Sequence, residues 1–582
     1  MNKFISSERN IQILLNLLKS YGIRKIIASP GTTNMGFVYS VQNDPFFEVY
    51  SAPDERSAAY MAVGLSTESG EPVIITCTMA TSSRNYLPAL TEAYYRKIPI
   101  LAITSTVYPG KVGHMFPQVI DRTTPPQDTV SLSVSMPTVK TPEDEWFCEI
   151  QANRVISELF RHGGNPCHIN LETTYNLTPA TCNPPTRNIR RIVGKKDFPE
   201  IKGEKIAIFV GNHIKWAPEL IEAVDVFCEK YGAVVLCDHT SNYTGKYKIH
   251  HTLVSSQILA DLTPLMPDLL IHIGNISGDY SIFNISKKCN VWRVNPDGEI
   301  RDVFKKCTFV FEMDECSFFE NANEKCNKTK CNSSYFKCWQ NALANIRKKI
   351  PDVDFSNLWV ASILNDKIPP NSVIHFGILN SLRSWNMHEL SPDIHGYCNT
   401  GGFGIDGCLS TSVGASLSDP KKLFFVVIGD LAFFYDMNVL GNRHLKSNLR
   451  ILLVNNAKGV EFQNSTHPAS AFGSETDKFI AAAGHYGNQS KELIKHYAED
   501  LGFEYLSAST KEDFLMSYQK FINTEITDKP ILFEIFTKTK DETSALDKYI
   551  RLEQSVASKT KELIKNTLGK NTISILRNLS KK

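Results

Sequence analysis

The sequence predicts an α/β protein made of three Rossmann-like parallel-sheet domains in succession, followed by a helical C-terminal tail. Three observations predict it. Short apolar runs bounded by turn residues alternate with segments of helical periodicity, the pattern of parallel strands joined by crossover helices. That alternation restarts three times, and the 582 residues exceed what one hydrophobic core usually serves. The first unit, 1–183, offers "IRKIIASPG", "PVIITCT" and "IPILAITST" as buried strands, with "DERSAAYMAVGLSTESG" as a helix closed by Gly70. Prolines and charges in "TCNPPTRNIRRIVGKKDFPEIKGE" then break the periodicity, and this stretch reads as a linker. The second unit, 205–345, restarts with "KIAIFVGNH", "AVVLCDH" and "PDLLIHIGN"; the third, 355–545, runs from "NSVIHFGIL" to "PILFEIFTK". Residues 546–582 carry nine Lys or Arg against three acids, with Leu563, Ile564, Leu568, Ile573 and Leu576 forming an apolar side. They read as a basic amphipathic helical tail packed on its own domain, in preference to a membrane-surface helix.

The composition narrows the function classes. With 42% hydrophobic and 21% charged residues the chain is of ordinary globular type. Its 63 basic and 61 acidic residues give a net charge of +2, which supplies no field favouring nucleic acid. No stretch approaches the roughly 20 apolar residues of a membrane span, and the start lacks an apolar signal core, so the chain reads as cytoplasmic with neither nucleic-acid nor membrane partners. Most of the 14 cysteines fall in apolar runs, as Cys77, Cys237 and Cys408 do, and read as reduced core thiols. The cluster Cys316, Cys326, Cys331 and Cys338 has spacings that match no CxxC pair and is not read as a zinc site.

The informative chemistry lies at two strand ends in the third unit. Gly429-Asp430 closes the apolar run "FFVVIG", and Asn455-Asn456 closes "RILLVN"; 26 residues separate Asp430 from Asn456, room for a helix and a second strand. Ligands of a parallel sheet sit beyond the carboxyl ends of its strands. A carboxylate and an amide oxygen brought together there suit a hard octahedral cation such as magnesium, which shares its remaining positions with substrate phosphates. The segment after Gly429 supplies backbone N–H groups and a helix start for the phosphate. The physical expectation is a magnesium-bridged diphosphate.

Gly-Asp followed by Asn-Asn at this spacing resembles the diphosphate-binding motif of thiamine diphosphate enzymes. The run "GDLAFFYDMN" is similar to one branch of them, the menaquinone-pathway family of 2-succinyl-5-enolpyruvyl-6-hydroxy-3-cyclohexene-1-carboxylate synthases. "SPG" at 29–31, "DERSAAYMAVGL" at 54–65 and "GFGIDGCLST" at 402–411 match in the same order. The resemblance covers the first and third units well and the middle one weakly. It implies pyrimidine-binding, central and diphosphate-binding domains, with thiamine diphosphate and Mg2+ as cofactors.

The resemblance also implies roles. Glu55 falls on the glutamate that shares a proton with the aminopyrimidine ring; the resulting imino form removes the thiazolium C2 proton, and apolar neighbours in "SAAYMAVGL" suit a raised pKa. Ile405, in "GIDG", matches the bulky residue that bends the cofactor. Asp430 and Asn456 carry over as metal ligands, with the backbone carbonyl of Lys458 as a third. Gly429, Leu431 and Ala432 carry over as cofactor-binding positions. Gln118, in "GHMFPQ", matches a glutamine near the reacting carbon. Because that family builds each site from two subunits, a homodimer or homotetramer is implied. "FVGNH" is followed by no GxGxxG array, so flavin is not supported in the central unit.

The substrate pocket departs from that branch. The synthases carry Pro-Gly-Ser-Arg where this chain has Pro30-Gly31-Thr32-Thr33. They have arginines near Val107 and at Thr400, a lysine near Tyr280, and a Thr-Ser-Gly turn where this chain reads Thr78-Met79-Ala80. Of the basic set that grips carboxylates, Arg383 remains. The synthase reaction joins a unit from 2-oxoglutarate to isochorismate, both anionic, and several bidentate clamps for such groups are gone. The expectation is a less anionic pair: a small 2-oxo acid donor such as pyruvate on Arg383, and a neutral carbonyl acceptor whose hydroxyls meet Thr33 and Thr400, with Glu461 as a further polar group. The chain thus reads as a thiamine diphosphate-dependent transferase or lyase that makes or breaks a carbon–carbon bond, decarboxylating a 2-oxo acid and passing the acyl anion to an acceptor. The alternatives are the synthase reaction itself, a 2-oxo acid decarboxylase or acetolactate-synthase-like enzyme, and a non-catalytic paralogue.

Overall fold

The computed structural model describes residues 4–326, 334–485 and 490–555. Cys331 and the expected tail beyond 555 lie outside the described residues. The chain divides into two compact units, Met1–Gly194 with Asp297–Glu312, and Lys195–Pro296 with Met313–Lys582.

The first unit holds a six-stranded sheet of β1 (Lys25–Ala28), β2 (Glu48–Ser51), β3 (Val73–Cys77), β4 (Ile100–Thr106), β5 (Leu132–Met136) and β6 (Cys167–Glu172). Its order is β2-β1-β3-β4-β6-β5, with every pairing parallel. Strands covered on both faces read as unbroken apolar runs, as "VIITC" does. Successive residues enter opposite cores: Ile26, Ile74 and Leu101 pack with the helix Arg9–Ser20, while Ile27, Ile75 and Ala102 pack against Ala58, Ala59 and Ala62 of the helix Glu55–Ser69. Gly70 ends that helix at φ 70°, the left-handed cap its sequence predicts.

The stretch read as a linker contains a strand, β7 (Arg190–Ile192). Ile189 and Ile192 are buried, and Arg191 donates to the Gly298 carbonyl at 2.9 Å and pairs with Glu158 and Glu312, so a charge that reads as loop is neutralised on the strand. In the second unit β8 (Ile206–Val210), β9 (Val234–Cys237), β10 (Lys248–His250), β11 (Leu269–Ile273) and β12 (Asn290–Asn295) run parallel in the order β10-β9-β8-β11-β12. Strand β13 (Cys307–Glu312) belongs to the first unit, where it pairs in parallel with β7.

The remaining strands, also in the second unit, are β14 (Val373–Phe376), β15 (His395–Cys398), β16 (Phe424–Gly429), β17 (Leu449–Asn455), β18 (Glu504–Ala508) and β19 (Ile531–Phe536). Their order is β15-β14-β16-β17-β19-β18, all parallel. Numbered within itself, this order is that of the β1–β6 sheet. In each sheet the chain reverses its winding direction between the first and third strands, and at that switch point a crevice opens for ligands. The loops concerned are Ser29–Gly31 and Thr78–Ala80 in one sheet, and those beginning at Gly377 and Asp430 in the other. Among the described residues no helix is long and apolar enough to cross a membrane.

The switch-point turn after β3 is tight. A Cβ on Gly31 would lie 2.3 Å from Thr78 Cβ, so only glycine lets the loops approach this closely. Ala80 stands where the resembling family has glycine and adopts φ 55°, ψ −125°, a glycine conformation that costs a side chain of the L series energy. Ala80→Gly is therefore expected to stabilise the chain by about 1 kcal/mol in urea or thermal unfolding. Unchanged or lowered stability would contradict strain at this turn.

Candidate functional site

Strands β16 and β17 are neighbours, with Gly429 opposite Val454, so Asp430 and Asn455-Asn456 emerge side by side at one edge of the sheet. Asp430 opens the helix Asp430–Asp436 and is only 3% exposed. Its carboxylate is held by backbone N–H groups of Leu431 and Ala457, and burial outweighs them, pushing its pKa up to about 7. The bond from Ala457 joins the two strand ends that sequence alone placed together. Ala457 has φ 72°, and this left-handed turn also lets its N–H donate to Asn455 Oδ1 at 3.3 Å. Asn456 is buried at 8% exposure, and its side-chain oxygen accepts from the Lys458 N–H at 3.4 Å. The Lys458 ammonium is bound by both oxygens of Asp477, at 2.9 and 2.8 Å.

This donor set fits a diphosphate-bound divalent cation. A buried carboxylate beside an amide oxygen is hard-ligand chemistry, and a cation relieves the burial that opposes the charge on Asp430. A Cβ on Gly401, Gly402 or Gly429 would meet nothing within 4 Å, so the backbone there is open to a ligand. Ile405 is half-buried against the core that contains Cys408, Leu409, Ala432 and Phe433, which fixes it beside the helix that carries Asp430.

Two acids brace the site that sequence reading passed over. Glu534, 1% exposed in β19, accepts from Asn455 Nδ2 at 2.7 Å and from the Tyr505 hydroxyl at 2.8 Å, and burial raises its pKa. The signal for it is the one charge inside the apolar run "ILFEIF". Asp436 accepts from the Ser410 N–H at 2.6 Å and from the Ser410 hydroxyl, so it caps the first turn of the helix Cys408–Ser416. In "GDLAFFYDMN" it is the second aspartate, and its service to a helix earlier in the chain has no local sign.

The residues expected to meet substrate are placed differently from one another. Arg383, on the helix Asn380–Trp385 after β14, forms a two-pronged ion pair with Glu461 on the turn Val460–Gln463 after β17: Nη2 lies 3.0 Å from Oε1, and Nη1 bonds Oε2. Thr400 is buried, and its hydroxyl accepts from Asn212 Nδ2 at 3.0 Å. Thr33, in the other unit, is 1% exposed; its hydroxyl lies 2.7 Å from the Thr78 hydroxyl and donates to the Ser105 carbonyl at 3.3 Å. Both hydroxyls thus have partners within the protein.

Glu55 is the first residue of its helix, whose N-cap Asp54 accepts from the Ser57 N–H at 2.8 Å. It is half-buried and accepts from Asn85 Nδ2 at 3.3 Å. Gln118 lies exposed at φ 65° on the loop after β4, which also exposes Tyr108, Met115 and Phe116. The loop is anchored by Arg122, 5% exposed, whose guanidinium donates to Asn170 Oδ1 at 3.0 Å and to the carbonyls of Thr78, Thr104 and Ser105. Burial without a carboxylate partner in that set lowers its pKa to about 10. One buried cation thus ties the Gln118 loop to the switch-point turn, a function invisible in "QVIDRTTPP".

Residues 10–124 match the thiamine pyrophosphate enzyme N-terminal TPP binding domain. A protein of Phocaeicola vulgatus named 2-succinyl-5-enolpyruvyl-6-hydroxy-3-cyclohexene-1-carboxylate synthase is 32% identical over 94% of this chain and 98% of its own length. Proteins of the same name from Bacteroides thetaiotaomicron and Flavobacterium johnsoniae are 31% and 27% identical, over 94% and 93% of this chain and 100% and 98% of their own lengths.

Proposed function

We propose, from the premise that this chain belongs to the thiamine pyrophosphate enzymes and among them to the 2-succinyl-5-enolpyruvyl-6-hydroxy-3-cyclohexene-1-carboxylate synthase family, that it uses thiamine diphosphate and Mg2+ to decarboxylate a 2-oxo acid and pass the acyl unit to a carbonyl acceptor. The observation that carries the reading is the buried Asp430 carboxylate beside Asn456 at the switch point of a parallel sheet. Asp430, Asn456 and the Lys458 carbonyl would hold the metal, and Gly429, Leu431, Ala432 and Ile405 would line the cofactor. When bound, thiamine diphosphate supplies a nucleophilic carbon and a sink for the electron pair that carbon dioxide leaves behind.

The chain's own residues would do the rest. Glu55 holds the proton it shares with the ring nitrogen of the aminopyrimidine, and Asn85 supports the carboxylate that carries it. Gln118 orients the reacting group by hydrogen bonds from its amide. Residues 1–183 serve the aminopyrimidine end, 355–545 the diphosphate end, and 205–345 a central domain. The same proposal includes a homodimer or homotetramer in the cytoplasm: Tyr60 and Met61, each 47% exposed on the helix headed by Glu55, suit coverage by a second copy.

In the full chain, Asp430→Ala is expected to abolish thiamine diphosphate binding measured by isothermal titration, and EDTA to release the cofactor from the wild type. Undiminished binding by the variant would overturn the site assignment. Glu55→Gln keeps the shape and removes the exchangeable proton, so deuterium exchange at the cofactor's C2, followed by NMR, is expected to slow about a hundredfold or more. Equal exchange rates would take Glu55 out of the chemistry.

A further inference from the structure

Arg383 and Glu461 sit at the carboxyl ends of β14 and β17, on the edge of the sheet that carries Asp430 and Asn456. The guanidinium fork is matched by both oxygens of one carboxylate, the geometry in which arginine otherwise takes a substrate carboxylate or phosphate. Asn464 Nδ2 donates to Glu461 Oε2 at 3.1 Å, so the acid is held in place from a second side. The pair is not sealed: side-chain exposure is 27% for Arg383 and 18% for Glu461. Tyr280, 54% exposed, lies within electrostatic reach of both, and its ring centre is 5.8 Å from that of Phe403. The second cation near this edge, Lys458, is likewise matched by a carboxylate of the chain, Asp477.

We propose that Glu461 sets the acceptor class of this site: by occupying the Arg383 fork it denies that fork to a carboxylate of the acceptor and leaves a net-neutral surface for an uncharged, hydroxyl-bearing acceptor. The proposal rests on the thiamine diphosphate reading and deepens it by naming the acceptor class. A carboxylate entering here would place two anions on one guanidinium and would have to compete with Glu461, which Asn464 helps to hold. A hydroxyl both donates and accepts, so it can bond the outer edge of the carboxylate and a remaining guanidinium N–H without changing the charge balance. The Tyr280 and Phe403 rings offer flat apolar faces to the C–H side of such a molecule.

The test uses the full chain and needs no turnover. The dissociation constant of succinate, a simple dicarboxylate probe, is measured by ligand-observed NMR on cofactor-free wild type, Glu461→Gln, Arg383→Gln and the double variant, each checked by thermal unfolding. Freeing the fork is expected to tighten succinate on the order of tenfold in Glu461→Gln. The gain is expected to vanish in the double variant, since it belongs to Arg383. No tightening in Glu461→Gln, or equal tightening in the double variant, would overturn the proposal. Thiamine diphosphate titrated into the wild type separates the two readings: succinate behaviour as expected without cofactor binding would remove the functional reading and leave the anion exclusion standing.

Discussion

The Asp430 carboxylate, buried and held by backbone N–H groups from the ends of two neighbouring strands, is the interaction on which this site depends. A buried charge must be paired or metal-bound to be tolerated, and the surroundings of Asp430 are organised around that demand. Ala457 takes a left-handed conformation that presents its N–H to the carboxylate. Asn455 is fixed from below by Glu534, so the Asn456 side chain is carried on a rigid turn. Asp436, at the far end of the helix that Asp430 opens, fastens the helix that follows Ile405.

The recurrence of one strand order in two sheets puts a switch-point crevice in each unit. Both crevices are flanked by a residue other than glycine at positive φ, Ala80 in one and Leu379 in the other, and Ala457 adds a third at the neighbouring strand end. Such backbone strain persists only where surrounding structure over-determines it. In the first unit that determination comes from Gly31 against Thr78 and from Arg122, whose four acceptors span three strands or their ends. The residues expected to meet substrate obey different chemistry: Thr33 and Thr400 are buried, and Arg383 is matched by Glu461.

The sequence makes visible what local physics dictates. Apolar runs such as "VIITC" and "FFVVIG" become buried parallel strands because nothing polar interrupts them, and Gly-Asp with Asn-Asn marks strand ends because those residues suit turns. Gly70 ends its helix as a glycine in that position must. What stayed hidden depends on partners far apart in the chain. Arg383 meets Glu461 across 78 residues, and neither residue's neighbours announce the other. Thr33 and Thr400 looked available until burial gave their hydroxyls partners. Arg191 reads as linker because the carboxylates that neutralise it, Glu158 and Glu312, lie in other elements.

The most direct measurement is a crystal of the full chain grown with thiamine diphosphate and Mn2+ in place of Mg2+, with anomalous scattering used to locate the metal. The expected result is a single strong peak within about 2.0–2.3 Å of a carboxylate oxygen of Asp430 and the side-chain oxygen of Asn456, bridging to the diphosphate. A metal bound elsewhere, or cofactor bound with Asp430 and Asn456 untouched, would contradict the assignment of this crevice.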